Sequence, residues 1–344
     1  MMQYRVLGKT GLTISELGFG CIPIIRLPEA EAVNVLRYAY DKGITFYDTA
    51  NAYRDSEKKI GQAFAGCRDK VILATKTTRR DAAGALEHIE NSLTMLRTDY
   101  IDLFQFHQVA QEKDWQALNA PGGALEAAVK AKEAGKIRHL GITSHSYPMA
   151  IKLMKTELFS TIMFPFNFIE DAAKDEMIAL AQELNIAFIA MKPFAGGVID
   201  DASLAFKFLR QYPDAIVIPG FESCQGIDEV LAFYNQDQLM TADDEAAIER
   251  YRQEIGQQFC RRCEYCQPCP HGVMITPAMS YAVVAKRMSP AVSVEFSKTP
   301  LDTVPKCVEC GICIQRCPYE LPIPQMLKKS YALYESHCET LKKS

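Results

Sequence analysis

ITFYDTANAYRDSEKKIG, residues 44–61, is the stretch whose reading decides the fold. It opens as a β-rich apolar run, ITFYDTA (44–50), then passes through a polar loop into a segment of helical period. The same unit recurs. Further strand candidates are ELGFG (16–20), VILATK (71–76), IDLFQFH (101–107) and IRHLGIT (137–143), then TIMFPFN (161–167), IAFIAMKP (186–193) and AIVIPG (215–220). Helical segments such as PEAEAVNVLRYAYDKG (28–43) and KDEMIALAQELN (174–185) follow them, and several end in Gly43, Gly135 or Asn185. Eight strand–helix pairs in about 220 residues point to a (β/α)8 TIM barrel. An open dinucleotide-binding sheet would show GxGxxG after its first strand; here Gly18 and Gly20 are followed by no glycine-rich helix start. YRVLGKTGLTIS (4–15) reads as a hairpin that caps the barrel floor.

The chain of 344 residues, with 48% hydrophobic content, suits one large domain and a small one. A net charge of -4 speaks against general nucleic-acid affinity, and no polybasic run suggests a membrane patch. The opening MMQYRVLGKTGLTISELGFG lacks an apolar h-region, and no run of about 18 apolar residues occurs. The expectation is a cytoplasmic protein with reduced thiols and no membrane or nucleic-acid partner.

In such barrels the chemistry sits at the C-terminal ends of the strands. Asp48 ends the second strand, Lys76 the third and His107 the fourth, and Tyr53 lies in the loop after Asp48. Together they fit carbonyl reduction. A hydride arriving at a carbonyl carbon leaves charge on oxygen that needs a proton. A tyrosine supplies it if its pKa is pulled from about 10 toward neutral. The Lys76 ammonium suits that role, Asp48 holds Lys76, and His107 orients the substrate oxygen.

FYDTANAYRDSEKKIG (46–61), ILATK (72–76), DLFQFH (102–107), the opening YRVLGKTGL and the late AIVIPG resemble the aldo/keto reductases over about residues 3–235. The resemblance implies a small carbonyl or alcohol substrate and NADH or NADPH bound across the barrel mouth. It implies cofactor contacts from Gly20, Thr143, Ser144, Met191, Lys192, Gly220, Ser223 and Glu229. Two positions depart from the family: Met163 stands where a glutamine is usual, and Val230 where an asparagine is. The segment PGFESCQGIDEV (219–230) carries no basic residue, and its Glu222 would repel a 2′-phosphate, so the expectation leans to NADH. Ile22, Trp115 and Phe194 are expected to line an apolar mouth.

The chain has 12 cysteines, and eight fall in two runs. FCRRCEYCQPCP (259–270) holds Cys260, Cys263, Cys266 and Cys269; PKCVECGICIQRCP (305–318) holds Cys307, Cys310, Cys313 and Cys317. The second is the C-x2-C-x2-C-x3-C-P run of bacterial ferredoxins, and the first is one residue shorter before its last cysteine. The expected ligand sets are crossed: Cys260, Cys263, Cys266 and Cys317 for one 4Fe–4S cluster, and Cys307, Cys310, Cys313 and Cys269 for the second. A single cluster or a zinc site is the alternative, although zinc favours separated CxxC pairs. The region 258–330 resembles the helical ferredoxin domain that certain aldo/keto reductases carry. The expected organisation is a barrel over 1–240, a helical connector over 241–257 and a small, mainly helical ferredoxin-like iron–sulfur domain over 258–344.

A hydride carries two electrons and a cubane one, and no flavin motif is present to couple them. Three readings stand at this point. The clusters relay electrons to an outside ferredoxin- or flavodoxin-like protein; or they are structural or regulatory beside an active barrel; or the barrel is a scaffold for an electron-transfer module.

Overall fold

The structure is a computed structural model that describes residues 2–234, 239–255, 258–286 and 288–343. The chain divides into two compact units, Met1–Ala195 with Ile199–Asp244, and Gly196–Val198 with Glu245–Ser344.

In the first unit, β1 (Tyr4–Val6) and β2 (Thr13–Ser15) pair antiparallel, with Tyr4 opposite Ser15. The barrel strands follow as β3 (Phe19–Gly20), β4 (Phe46–Asp48), β5 (Ile72–Thr77), β6 (Ile101–Phe106), β7 (Ile137–Thr143), β8 (Thr161–Pro165), β9 (Ala187–Met191) and β10 (Ala215–Ile218). They pair in parallel in sequence order. Parallel bridges Leu17–Val217 and Gly20–Gly220 join the first strand to the last and close the ring. β3 and β4 are shorter than their apolar runs, although past β4 Thr49 N–H still donates to Ala74 O and Asn51 N–H to Lys76 O of β5.

The strands are apolar on both faces because helices cover the outside and side chains fill the inside. Phe46, Ala74, Leu103, Met163, Ile189, Ile216 and Ile218 form the interior, and Leu7 and Ile14 of the hairpin plug it from below. The expected helix stops hold: Gly43 and Asn185 have φ of 94° and 50° and end their helices in the left-handed region.

The second unit is helical. The helix Ala242–Ile255 begins in the first unit, where Thr241 and Asp244 exchange hydrogen bonds across its first turn. Then come Ile275–Met279, Tyr281–Ala285, Pro290–Leu301, Ile312–Gln315 and the long Ile323–Lys343. The helical-looking run TPAMSYAVVAKRMS (276–289) is interrupted at Ser280, whose hydroxyl donates to the Thr276 carbonyl and competes with the helix ladder. The core gathers Val273, Ile275, Met279, Tyr281, Leu301, Leu321 and Leu327, with cysteines packed against it. No described helix is long and apolar enough to cross a membrane.

Candidate functional site

Strand register brings Asp48, Lys76 and His107 to one end of the barrel. Gly20 pairs with Asp48, Asp48 with Ala74, and Lys76 with Gln105. Lys76 Nζ donates to Asp48 Oδ2 at 2.6 Å and to Thr49 O at 2.6 Å, and Gln105 Nε2 donates to Asp48 Oδ1 at 2.8 Å. Lys76 is 1% and Asp48 4% exposed. A buried pair costs much desolvation, and these added hydrogen bonds are what make it tolerable. Burial acts to lower the Lys76 pKa, but the Asp48 carboxylate and the Tyr53 hydroxyl outweigh it, and the net shift is upward. The ammonium therefore stays charged.

Tyr53 is half-buried, with its ring 5.1 Å from Lys76 Nζ and edge-to-face with His107 at 5.8 Å between centroids. Here the structure corrects an expectation. Burial pushes the Tyr53 hydroxyl above its ordinary range, and Lys76 opposes that shift without reversing it. The phenol is a protonated donor, not one pulled to neutrality. Burial, then the charges of Lys76 and Arg80, hold His107 down to about 3, so its imidazole is neutral. His107 Nδ1 is buried and has no hydrogen-bond partner among the described residues, which leaves a polar atom for an incoming group.

Sequence reasoning passed over three supports. Gln105 sits two residues before His107 and fixes the second Asp48 oxygen. Arg80 Nη2 donates to His107 O at 2.7 Å. Lys59, 2% exposed, donates to Ile24 O, Leu27 O and Asp55 and pins the loop after β3. An unusually placed cation on an apolar helix face was the only available signal for Lys59.

The expected cofactor residues lie at the same end of the barrel but are partly engaged. Thr143 Oγ1 accepts from Gln108 N–H at 2.8 Å. Ser144 Oγ bonds within its own turn, to Ser146. Met191 packs on the barrel interior, and Lys192 lies beside it with φ of 59°. Gly20 allows close passage of the chain: a Cβ there would meet Ile218 O at 3.0 Å. Gly220 follows β10; Ser223 Oγ accepts from Gly226 N–H, and Glu229 accepts from Gln225. A basic residue from another loop reaches the segment 219–230 and pairs with its acid. Arg26 Nη2 reaches Glu222 Oε2 at 2.6 Å. Trp115 corrects a second expectation: it is 8% exposed on the helix Glu112–Asn119, packed edge-to-face on Phe159, and does not line the mouth. Ile22 is exposed, and Phe194 is half-buried against Phe206.

None of the 12 cysteines of the chain is in a disulfide, and in the second unit the two runs wrap two cavities. One, about 300 Å³ and open to solvent, is lined by Cys260, Cys263, Cys266 and Cys317 with Arg261, Thr276 and Tyr319. The other, about 360 Å³ and also open, is lined by Cys266, Cys269, Cys307, Cys310 and Cys313 with His271 and Glu309. Left-handed residues Arg262, Glu264, Glu309 and Gly311 curl the loops around these spaces. Burial pushes the Cys263 and Cys266 thiols up to about 11 and about 12. Among the described residues no three His, Cys, Asp or Glu side chains close around a single ion. Thiols spread over cavity walls suit a multinuclear cluster.

The family model for the aldo/keto reductase family matches residues 16–207, and a 4Fe-4S dicluster domain matches residues 259–321. The chain belongs to the aldo/keto reductase family. It is an oxidoreductase of that family that also carries a 4Fe-4S dicluster domain. Among curated relatives, the uncharacterized oxidoreductase YqkF of Bacillus subtilis is 31% identical over 217 residues, which cover 59% of this chain and 68% of the relative. The aldo-keto reductase YhdN of the same organism is 31% identical over 218 residues, covering 58% of this chain and 64% of the relative. The holo form of aldo-keto reductase AKR11C1 from Bacillus halodurans has a TM-score of 0.62 at 24% identity, covering 73% of this chain and 96% of that one.

Proposed function

We propose that this aldo/keto reductase interconverts a small carbonyl compound and its alcohol with NADH or NADPH, and that its eight clustered cysteines hold two 4Fe–4S clusters. The carrying observation is the buried Lys76–Asp48 pair at 2.6 Å with Tyr53 and His107 beside it at the ends of consecutive strands. In this reading the barrel spans 1–240, a connector 241–257 and the cluster domain 258–344. A nicotinamide held at the barrel mouth would supply the hydride, and a cubane held by the cysteines would supply or take one electron.

The protein side of the reaction follows from the four side chains. His107, neutral, donates a hydrogen bond to the substrate oxygen and fixes the carbonyl. Tyr53 O–H delivers its proton to that oxygen as charge develops there. Lys76 stabilises the phenolate left behind, and Asp48, clamped by Gln105, keeps Lys76 charged and aimed. Carbonyl, reduced nucleotide and proton give alcohol and oxidised nucleotide; the reverse reaction returns the proton to Tyr53. Gly20, Thr143, Ser144, Met191, Lys192, Gly220, Ser223 and Glu229 would hold the nucleotide. Glu222 supports a preference for NADH, since Arg26 is already committed to it.

Cys260, Cys263, Cys266 and Cys317 would hold one cluster, and Cys269, Cys307, Cys310 and Cys313 the other. Cys310 is exposed, which supports one-electron exchange with an outside ferredoxin- or flavodoxin-like protein. The test is aldehyde-dependent oxidation of NADH and NADPH under anaerobic conditions. Tyr53→Phe is expected to lower turnover about 10²-fold or more while the protein keeps its iron. Unchanged turnover would overturn the assignment of the proton donor.

A further inference from the structure

One of the two cysteine-lined cavities carries a hydroxyl beside a cysteine sulfur. Cys266 Sγ and Thr276 Oγ1 lie 3.8 Å apart, and Thr276 lines the cavity with Cys260, Cys263 and Cys317 but not the cavity with Cys307, Cys310 and Cys313. Thr276 is 4% exposed on the helix Ile275–Met279, and its carbonyl is held by the Ser280 hydroxyl at 2.9 Å. The side chain is thus packed in place next to the sulfur. A cysteine sulfur bound to iron has no proton to give, so the hydroxyl must be the donor.

We propose that Thr276 tunes the redox potential of one cluster only, by donating its hydroxyl proton to Cys266 Sγ. The proposal rests on the two-cluster reading above. An electron added to a cubane is shared with its sulfurs and makes them stronger acceptors. A fixed donor therefore stabilises the reduced state more than the oxidised one and raises the potential. Arg261, which lines the same cavity and stacks 3.8 Å above Tyr319, adds a positive charge with the same sign of effect. The other cavity has Glu309, which is paired with Lys328 at 2.6 Å. Thr276 is a positioning residue, and its removal should leave iron content intact.

The experiment is an EPR-monitored redox titration of the intact protein, prepared anaerobically, as wild type, Thr276→Val and Thr276→Ser. Valine keeps the shape and loses the donor; serine keeps the donor. Two reduction steps are expected. The valine variant should move one of them to more negative potential and leave the other in place, and serine should restore it. Two unmoved steps, or two that move together, at full iron content would overturn the role of Thr276. An iron content below that of two cubanes in the wild type would instead overturn the two-cluster reading. If valine costs a cluster, proton ENDOR on the wild type decides: a strongly coupled exchangeable proton that vanishes in D2O is expected, and its absence contradicts the hydrogen bond.

Discussion

Tyr53 and His107 set the pH behaviour of the site, and their shifts run in opposite directions. His107 stays neutral down to about 3, and burial holds the Tyr53 phenol protonated beyond its ordinary value near 10. Carbonyl reduction should therefore be flat from about pH 5 to 8, where an ordinary histidine would titrate, and should fall only as pH rises through the Tyr53 pKa. Stability should respond to His107 differently. The unfolded chain protonates that histidine below about 6.5, and the folded chain resists until about 3, so stability falls as pH drops through this window. Urea midpoints against pH, for wild type and His107→Gln, measure it; the variant should show a weaker acid decline, and identical slopes would contradict the buried neutral imidazole. Asp48, Tyr53, Lys76 and His107 were legible because each ends a strand or follows one. Arg26 facing Glu222 was not, because 196 positions separate them and only ring closure between β3 and β10 brings their loops together.

Elements were legible where the hydrophobic period was strong. Seven of the eight barrel strands fall inside their apolar runs, and β5 runs one residue past its own, to Thr77. The break at Ser280 was not visible, since a serine in a helix reads as neutral until its hydroxyl finds the carbonyl four residues back. Nor was the floor of β6. Asp102, fully buried at the start of that strand, binds Arg68 Nη2 at 2.6 Å and Arg138 Nη1 at 2.9 Å and accepts Leu73 N–H at 3.0 Å. Tyr100 is sandwiched between the same two guanidinium groups. In sequence it is one acid in an apolar run. Asp102→Asn leaves Arg68 without its counter-charge and should cost about 3–5 kcal/mol in denaturant unfolding. A loss under about 0.5 kcal/mol would mean that water already satisfies the pair.

At the scale of the molecule, the chain joins two chemistries that count electrons differently. In the proposed reading the barrel moves a proton and a hydride together, with Tyr53 and Lys76 side by side. The cysteine cavities are arranged for single electrons. Their spacing was readable because iron–sulfur ligands lie close in sequence; the fold around them was less so, because its core is small and the cysteines themselves form part of it. In the proposed reading the hydride passes to the carbonyl carbon while Tyr53 gives the proton, so the barrel reaction should run by direct transfer. Deuterium tracing tests this most directly. With NADH deuterated at the transferred position and a small aldehyde, under anaerobic conditions, the product alcohol should carry deuterium on the former carbonyl carbon. Alcohol formed without deuterium there would mean that the electrons travelled singly and the hydrogen came from water, which contradicts the assignment of the barrel.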